Sequence, residues 1–316
     1  MKPANLLRWE SMLAVVLVFE FILFSALSPY FLSVDTLSDA TFNFTERAIV
    51  ALPLAMLIIA GEIDISVAAI IALASVAMGL ASANGLDTAG IATVGLGTGF
   101  LAGCINGALV TIGRVPSIVA TIGTMTLFRG AAYAVLGDRV LKDYPETFAV
   151  FGQGYLLGPI SIELALFAVF AISFGVFLHR TRWGRTIFAI GANPVASRFA
   201  GVAVNRYRFA LFALTGLFSG LAAVLLTSRL GSTRPSIAQG WELEIISMVI
   251  LGGVSVWGGK GSIPGVVLAA VVFGLVTFGL GLMNIPGIVM SIFTGTLLIL
   301  VVAVPALVNR SRENRR

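Results

Sequence analysis

Side chains that perform covalent or metal-assisted chemistry are scarce in this chain of 316 residues. It has one cysteine, Cys104, and one histidine, His179. A disulfide framework and a Cys/His zinc site each need more of these residues, and a histidine-centred triad would have to use His179 alone. Because no nucleophile–base pair or metal-ligand spacing stands out elsewhere, the sequence predicts a chain that is not an enzyme and holds no metal or cofactor.

A glycine-rich segment is the one stretch with some likeness to a nucleotide-binding motif. It reads Gly252-Gly253-Val254-Ser255-Val256-Trp257-Gly258-Gly259-Lys260-Gly261. A P-loop needs a glycine five residues before its Gly-Lys pair and Ser or Thr after the lysine, but Val254 and Gly261 stand there. We therefore interpret residues 252–261 as a tight turn and expect ATP hydrolysis on a separate chain.

Two carboxylates lie close together in the segment Ala60-Gly61-Glu62-Ile63-Asp64-Ile65-Ser66, between two apolar runs. At membrane depth a carboxylate is costly unless it is paired or hydrated, so Glu62 and Asp64 there would indicate a pathway or a switch. Alternatively, both acids cap the following helix, whose unpaired amides and dipole favour negative charge, and Ser66 adds a hydroxyl. We favour a combined role in capping and in the turn, and keep direct contact with a transported solute as the alternative.

Hydroxyl groups and one arginine are concentrated in another apolar run, at residues 116–136. Thr121, Thr124 and Thr126 either bond back to their own helix or line a hydrophilic route for a hydroxylated solute. Arg129 should avoid lipid and face the bundle, water or a carboxylate, in a structural ion pair or in contact with the solute. The sequence leaves both choices open.

The elements that position these residues are predicted by composition. Hydrophobic residues make up 58% of the chain, charged residues 11%, and the mean hydropathy is +1.01. Soluble domains carry about 25% charge, so an ordinary soluble protein is excluded. The net charge of +5 does not indicate a nucleic-acid partner, because the basic residues lie between apolar runs.

Ten apolar runs are candidates for membrane-spanning helices, each of which needs roughly 20 residues. We therefore predict an all-α integral membrane protein whose residues 1–316 form one transmembrane domain. Of the 20 Lys and Arg residues, fourteen fall on the side of the N-terminus, five on the other side, and Arg129 lies within a run, which predicts that both termini are cytoplasmic. The runs are 11–30, 47–61, 66–84, 89–112, 116–136, 160–179, 207–227, 244–257, 263–283 and 287–306.

Glycines within these runs predict close helix packing. Gly99, Gly103 and Gly107 recur at every fourth residue, and Gly216 and Gly220 repeat the spacing in a later run. Such a spacing puts bare backbone on one helical face, so that a neighbouring helix can approach closely.

The basic segment at residues 180–206 is predicted to be a cytoplasmic loop. Its arginines alone indicate only a positive-inside anchor. However, Asn193-Pro194 opens a run of small residues that Gly201 closes, which predicts a short helix. A helix of small residues lying along the membrane is suited to dock another protein.

Several of these segments together resemble a known family. Residues 60–66, 191–201 and 252–261, with the ten runs, resemble the inner-membrane permease subunits of binding-protein-dependent ABC sugar importers of the ribose type. Within that family the chain is most similar to rhamnose importer permeases, through residues 38–46, 227–236 and 284–290. Permeases for autoinducer-2 are similar too, and these or pentose importers are the alternatives.

The resemblance implies a fold, partners and site residues. It implies the ABC importer permease fold in a bacterial inner membrane, with a second permease subunit, a periplasmic sugar-binding protein, and two ATPase subunits or one fused ATPase that bind ATP and Mg. It places Gly191, Asn193, Arg198 and Gly201 on a coupling helix that inserts in an ATPase groove. A secondary transporter driven by an ion gradient is the less favoured class, because it usually needs carboxylates within its spans.

Overall fold

The computed structural model describes residues 3–42, 44–287, 289–290, 292 and 295–296, and these are mostly helical. Two short strands, β1 (Tyr155–Leu157) and β2 (Ile160–Ser161), form an antiparallel hairpin. A 3-10 helix (Glu146–Ala149) precedes the short α7. The helices are α1 (Pro3–Leu27), α2 (Val34–Phe42), α3 (Thr45–Ile59), α4 (Val67–Ala83), α5 (Thr88–Thr111), α6 (Ser117–Leu136), α7 (Val150–Gln153), α8 (Ile162–Arg180), α9 (Arg182–Ala192), α10 (Pro194–Phe199), α11 (Val204–Leu230), α12 (Trp241–Leu251) and α13 (Ile263–Leu282).

Six of the described helices are long and apolar enough to cross a membrane, namely α1, α5, α6, α8, α11 and α13. The pair α2–α3, bent by 48°, would add a seventh span. The predicted all-helical membrane bundle is thus confirmed, whereas the number of ten spans and the side of the termini stay predictions. The predicted run 287–306 lies mostly outside the described residues.

The predicted run at 244–257 is too long, and the turn predicted at 252–261 is confirmed. The run at 244–257 corresponds to α12, which has 11 residues and ends at Leu251. The chain then turns, because Gly253 has a φ of +86°, a left-handed conformation that ends a helix and that glycine adopts without steric cost.

Helices α5 and α11 pack with their backbones almost in contact. A Cβ atom at Gly99 would overlap the carbonyl oxygen of Gly216, and one at Gly103 would overlap the carbonyl oxygen of Phe212. The predicted glycine face is therefore the surface on which these two helices meet.

Helix α3 forms the centre of the hydrophobic core, because its residues 48–59 are all buried. It contacts α8, α11, α12 and α13. A helix that is apolar on every side and enclosed by neighbours is expected from a sequence in which residues 48–60 carry no charge.

The two ends of the bundle carry different structures. At one end, which we name the α10 face, lie segment 60–66, α9, α10 and turn 252–261. The turn is joined to the end of α3 by a 2.8 Å hydrogen bond from the Gly259 amide to the Ile59 carbonyl. At the other end, the hairpin face, lie β1–β2, the 3-10 helix and the end of α11. There the Ser228 hydroxyl donates to the Phe148 carbonyl over 2.6 Å.

Candidate functional site

The acidic segment between α3 and α4 is built around a buried hydrogen-bond network. Oδ1 of Asp64 accepts bonds from the Ser66 amide (2.8 Å) and the Ser66 hydroxyl (2.6 Å). Asn106 of α5 donates from Nδ2 to Oδ2 of Asp64 (3.1 Å) and to the Ser66 hydroxyl (2.7 Å). Burial raises the pKa of Asp64, while the hydrogen bonds from Ser66 and Asn106 lower it. The network fastens the segment to α5.

Glu62 fastens the same segment to α11. Its Oε1 atom lies 2.8 Å from the Arg208 guanidinium, and the two side chains are 9% and 17% exposed. Such a sheltered pair holds its geometry better than an exposed one, and breaking it leaves a charge without its partner. Asp64 and Glu62 therefore join segment 60–66 to two different helices.

Of the role predicted for the acids in capping and in the turn, the structure shows the turn but not the cap. Ser66 occupies the N-cap position, but its side chain makes no capping hydrogen bond to α4. Its hydroxyl is instead bonded to Asp64 and Asn106. Asp64 bonds the amide of Ser66 itself, which is one residue before the helix, so the carboxylate shapes the turn rather than the first helical turn.

The three threonines of α6 bond to main-chain oxygens. Thr121 donates to the Ser117 carbonyl (2.8 Å), Thr124 to the Thr121 carbonyl (3.3 Å) and Thr126 to the Ile122 carbonyl (3.2 Å). Thr121 and Thr124 are buried and Thr126 is exposed. This arrangement matches the alternative in which the threonines bond back to their own helix. Of the three side chains, only that of Thr126 is accessible at the surface.

Arg129 has a structural position. Its guanidinium donates to the carbonyls of Pro235 and Ile237, each over 2.8 Å, and to that of Ala68 over 3.2 Å. It thus ties α6 to the start of α4 and to the segment 231–240 between α11 and α12. The ion pair suggested as one alternative is not seen among the described residues, where three carbonyl groups satisfy the cation.

The short helix predicted after Asn193 is present as α10. The Asn193 side chain accepts from the Ala196 amide (2.9 Å), and Pro194 occupies the first turn. Gly201 follows the helix with a φ of +83°. Arg198 projects at the exposed surface, with its guanidinium 3.5 Å from Oδ1 of Asn205. Asn193, Arg198 and Gly201 therefore lie together on or beside α10.

Gly191 does not belong to that exposed helix. It lies in α9, and a Cβ atom there would overlap the Ile59 carbonyl and lie 2.5 Å from the Gly259 amide nitrogen. The helix that resemblance placed over residues 191–201 is interrupted, because Asn193 is extended with a φ of −159°. Gly191 thus permits α9 to pack against α3 and turn 252–261.

Two apolar side chains on α10 were missed by reasoning from the sequence. Phe199 is 91% exposed and Val195 is 57% exposed. Trp257, in turn 252–261 on the same face, is 92% exposed. The sequence pattern was interpreted as a run of small residues, so these apolar side chains were overlooked. An apolar residue in a polar loop bounded by arginines is nevertheless a signal for a contact surface.

A family of transport proteins accounts for this architecture. The family described as branched-chain amino acid transport system / permease component matches residues 37–302. The chain belongs to this family. As a permease it is a transport component rather than an enzyme, and it is a multi-pass protein of the inner membrane.

Curated relatives of this permease are aligned over nearly its whole length. Autoinducer 2 import system permease protein LsrD of Enterobacter sp. (strain 638) is 36% identical over 94% of this chain and 92% of its own. LsrD of Photorhabdus temperata is 36% identical over 93% and 90%, and that of Escherichia coli (strain K12) is 37% identical over 93% and 91%. No solved structure matches the permease.

The relatives also bear on the substrate expectation. Their names agree with autoinducer-2, which the sequence kept as an alternative, and give no support to rhamnose. Membership in the family implies an ATPase and a binding protein as partners in general terms.

Proposed function

We propose that this permease is the membrane subunit of an ATP-driven importer for autoinducer-2 or a closely similar small polyhydroxylated solute. The observation that carries the proposal is the likeness to autoinducer-2 import permeases over at least 90% of both chains. Rhamnose and ribose serve as competing substrates in the test.

Three charged sites of the described bundle already have partners, whereas Glu20 and Glu163 have buried oxygens without one, and the paired sites favour a neutral solute. Glu46 pairs with Arg229 and Arg47 pairs with Glu244, while Arg129 is bonded to main-chain carbonyls. An ionic substrate would need unpaired fixed charge along its route. A solute rich in hydroxyl groups needs only hydrogen-bond partners, which main-chain and hydroxyl oxygens supply.

The proposed orientation puts both termini and the α10 face in the cytoplasm. Loop 180–206 then meets the ATPase, which binds ATP and Mg, and α10 is the coupling helix, with Asn193 and Gly201 setting its ends. The exposed Phe199 gives this helix an apolar anchor among arginines. The hairpin face would receive the periplasmic binding protein, and a second permease subunit would complete the pathway.

The test is uptake into proteoliposomes that contain this permease, the second permease subunit, the ATPase and the binding protein. We expect ATP-dependent uptake of labelled autoinducer-2, and we expect it to persist when a protonophore collapses the ion gradient. An inactive ATPase variant is the matched control. Uptake of rhamnose or ribose without autoinducer-2 would overturn the substrate, and uptake that needs the gradient but not ATP would overturn the class.

A further inference from the structure

A cavity of about 540 Å³ opens on the α10 face. It lies where the turn between α5 and α6, the start of α11 and helix α10 meet. Three arginines and one glutamate supply its ionisable side chains, so its wall carries a net charge of +2. The residues lining it are Glu62, Val110, Thr111, Arg114, Val115, Pro116, Ser117, Arg198, Asn205 and Arg208.

The arginines have spare hydrogen-bonding capacity. Arg208 is paired with Glu62 through Nη1, and its side chain remains 17% exposed, so the other terminal nitrogen is available to a ligand. Arg198 has a contact of 3.5 Å to Asn205, at the outer limit for a hydrogen bond. Arg114 also lines the cavity, and among the described residues no hydrogen bond or ion pair of its guanidinium is seen, so its donors are available to an anion.

Arg114 reaches the cavity from a strained backbone. Its φ is +56°, in the left-handed region that glycine occupies more readily than arginine. The preceding residue is Gly113, yet the left-handed conformation falls on Arg114 and not on this glycine. Backbone strain of this kind is concentrated at functional sites, where the strained residue has a role.

Two helices begin at the wall of the cavity without a side-chain cap. Neither Pro116 before α6 nor Ala203 before α11 caps its helix. On the same face, Thr181, Asn193 and Ser262 cap α9, α10 and α13. At α11 the amides of Val204 and Arg206 already donate to the carbonyls of Val202 and Ala203. The amino end of α6 is therefore the one that offers free amides and the positive end of the helix dipole to an anion.

We propose that this cavity binds a phosphate group through Arg114, Arg198 and Arg208 and the amino end of α6. A phosphate carries about −1.5 to −2 charge at pH 7 and so balances the net charge of the wall. Its several oxygens match several guanidinium donors, which a single carboxylate does not. The group belongs either to a small free phosphate compound or to a lipid headgroup.

The first experiment titrates inorganic phosphate into the full chain held in nanodiscs of digalactosyldiacylglycerol, a lipid without phosphate, by calorimetry and by thermal unfolding. We expect saturable binding that stabilises the protein. Arg114→Gln should weaken it about tenfold, the size of one charge-assisted hydrogen bond. Arg206→Gln is the matched control, because Arg206 is an exposed residue of α11 outside the cavity, and binding should stay within about twofold.

Two further variants separate binding from folding. Arg114→Gly relieves the left-handed strain, so the protein should unfold at a higher temperature while phosphate binding falls. Glu62→Gln removes the one negative charge of the wall and should tighten binding at least about twofold. If Arg114→Gly is more stable and still binds phosphate more weakly, the loss of binding is not caused by defective folding.

The lipid arm repeats the titration with phosphatidylglycerol in the nanodiscs and identifies retained lipid by native mass spectrometry. If the headgroup is the ligand, free phosphate competes poorly and Arg114→Gln loses the retained lipid. If a free compound is the ligand, the lipid changes nothing. Absence of both kinds of binding, or equal weakening by Arg206→Gln, would overturn the proposal.

Discussion

Arg229 donates from Nε to Oε1 of Glu46 across 2.7 Å, which joins the last turn of α11 to the first turn of α3. Glu46 is fully buried and the Arg229 side chain is 26% exposed. Glu163, in the first turn of α8, is also buried, and neither of its carboxylate oxygens has a hydrogen-bond partner among the described residues. Glu163 interacts electrostatically with both Glu46 and Arg229, so this site contains two carboxyl groups and one guanidinium.

The two carboxyl groups should respond oppositely to neutralisation. Glu46→Gln removes the partner of Arg229 and should lower stability by about 1–3 kcal/mol, the cost of a lost hydrogen bond to a charged group. Glu163→Gln removes a buried acid that has no partner and should leave the unfolding temperature unchanged or raise it. Thermal unfolding of the purified variants measures both, and a larger loss in Glu163→Gln would contradict this account.

The glycine packing of α5 against α11 gives a second prediction. Gly103→Ala places a methyl group against the Phe212 carbonyl and should destabilise the bundle by about 1–3 kcal/mol. Gly97→Ala is the matched control in the same helix, because a Cβ atom there meets nothing within 4 Å. Alanine has the higher helix propensity, so the control should be neutral or more stable by about 0.5–1 kcal/mol. Equal loss of stability in both variants would show that helix contact is not the cause.

This helix contact was predictable from the sequence because it depends on local spacing. Three glycines at intervals of four residues fix the face of α5, and the matching pair fixes that of α11. The end of α12 was predictable from the glycines of turn 252–261 but not from hydropathy, which continues past Leu251 while the backbone turns at Gly253. Hydropathy reports burial, and it does not report where a chain leaves the helix.

The network of Asp64 and Asn106 gives a third prediction, in which pairing rather than charge alone decides the outcome. Asp64→Asn leaves an amide donor facing the donor of Asn106, and Asp64→Leu removes every acceptor, so both should reduce stability and transport. The exchange Asp64→Asn with Asn106→Asp restores one donor and one acceptor. Recovery of unfolding temperature and uptake in the exchanged variant, relative to Asp64→Asn alone, is the expected result. Failure to recover would mean that a negative charge is required at position 64 itself.

Reasoning from the sequence identified the acids of segment 60–66 but not their partners. Asn106 lies 40 positions from Ser66, and Arg208 belongs to a different run from Glu62. Such pairings depend on how helices assemble, which one sequence without related sequences does not encode locally. A polar amide set between Gly103 and Gly107 in an apolar run was the available signal for Asn106.

The last prediction concerns the contact between α10 and the proposed ATPase. Gly201 is a poor site for a test, because any side chain at a φ of +83° strains the backbone whatever it contacts. Ala196→Trp adds bulk on an exposed helical position, and Phe199→Ser removes the 91% exposed ring without changing a buried contact. Both should reduce co-purification of the ATPase and uptake while the permease inserts normally.

The matched control for this prediction is Leu156→Ser. Leu156 is 61% exposed and lies in β1 on the hairpin face, so the same loss of apolar surface occurs at the other end of the molecule. Because apolar anchors at the centre of an interface commonly contribute most of its binding energy, Phe199→Ser should lower ATPase affinity at least about tenfold and Leu156→Ser should not. Full ATPase recovery with Phe199→Ser and with Ala196→Trp would remove α10 from the interface.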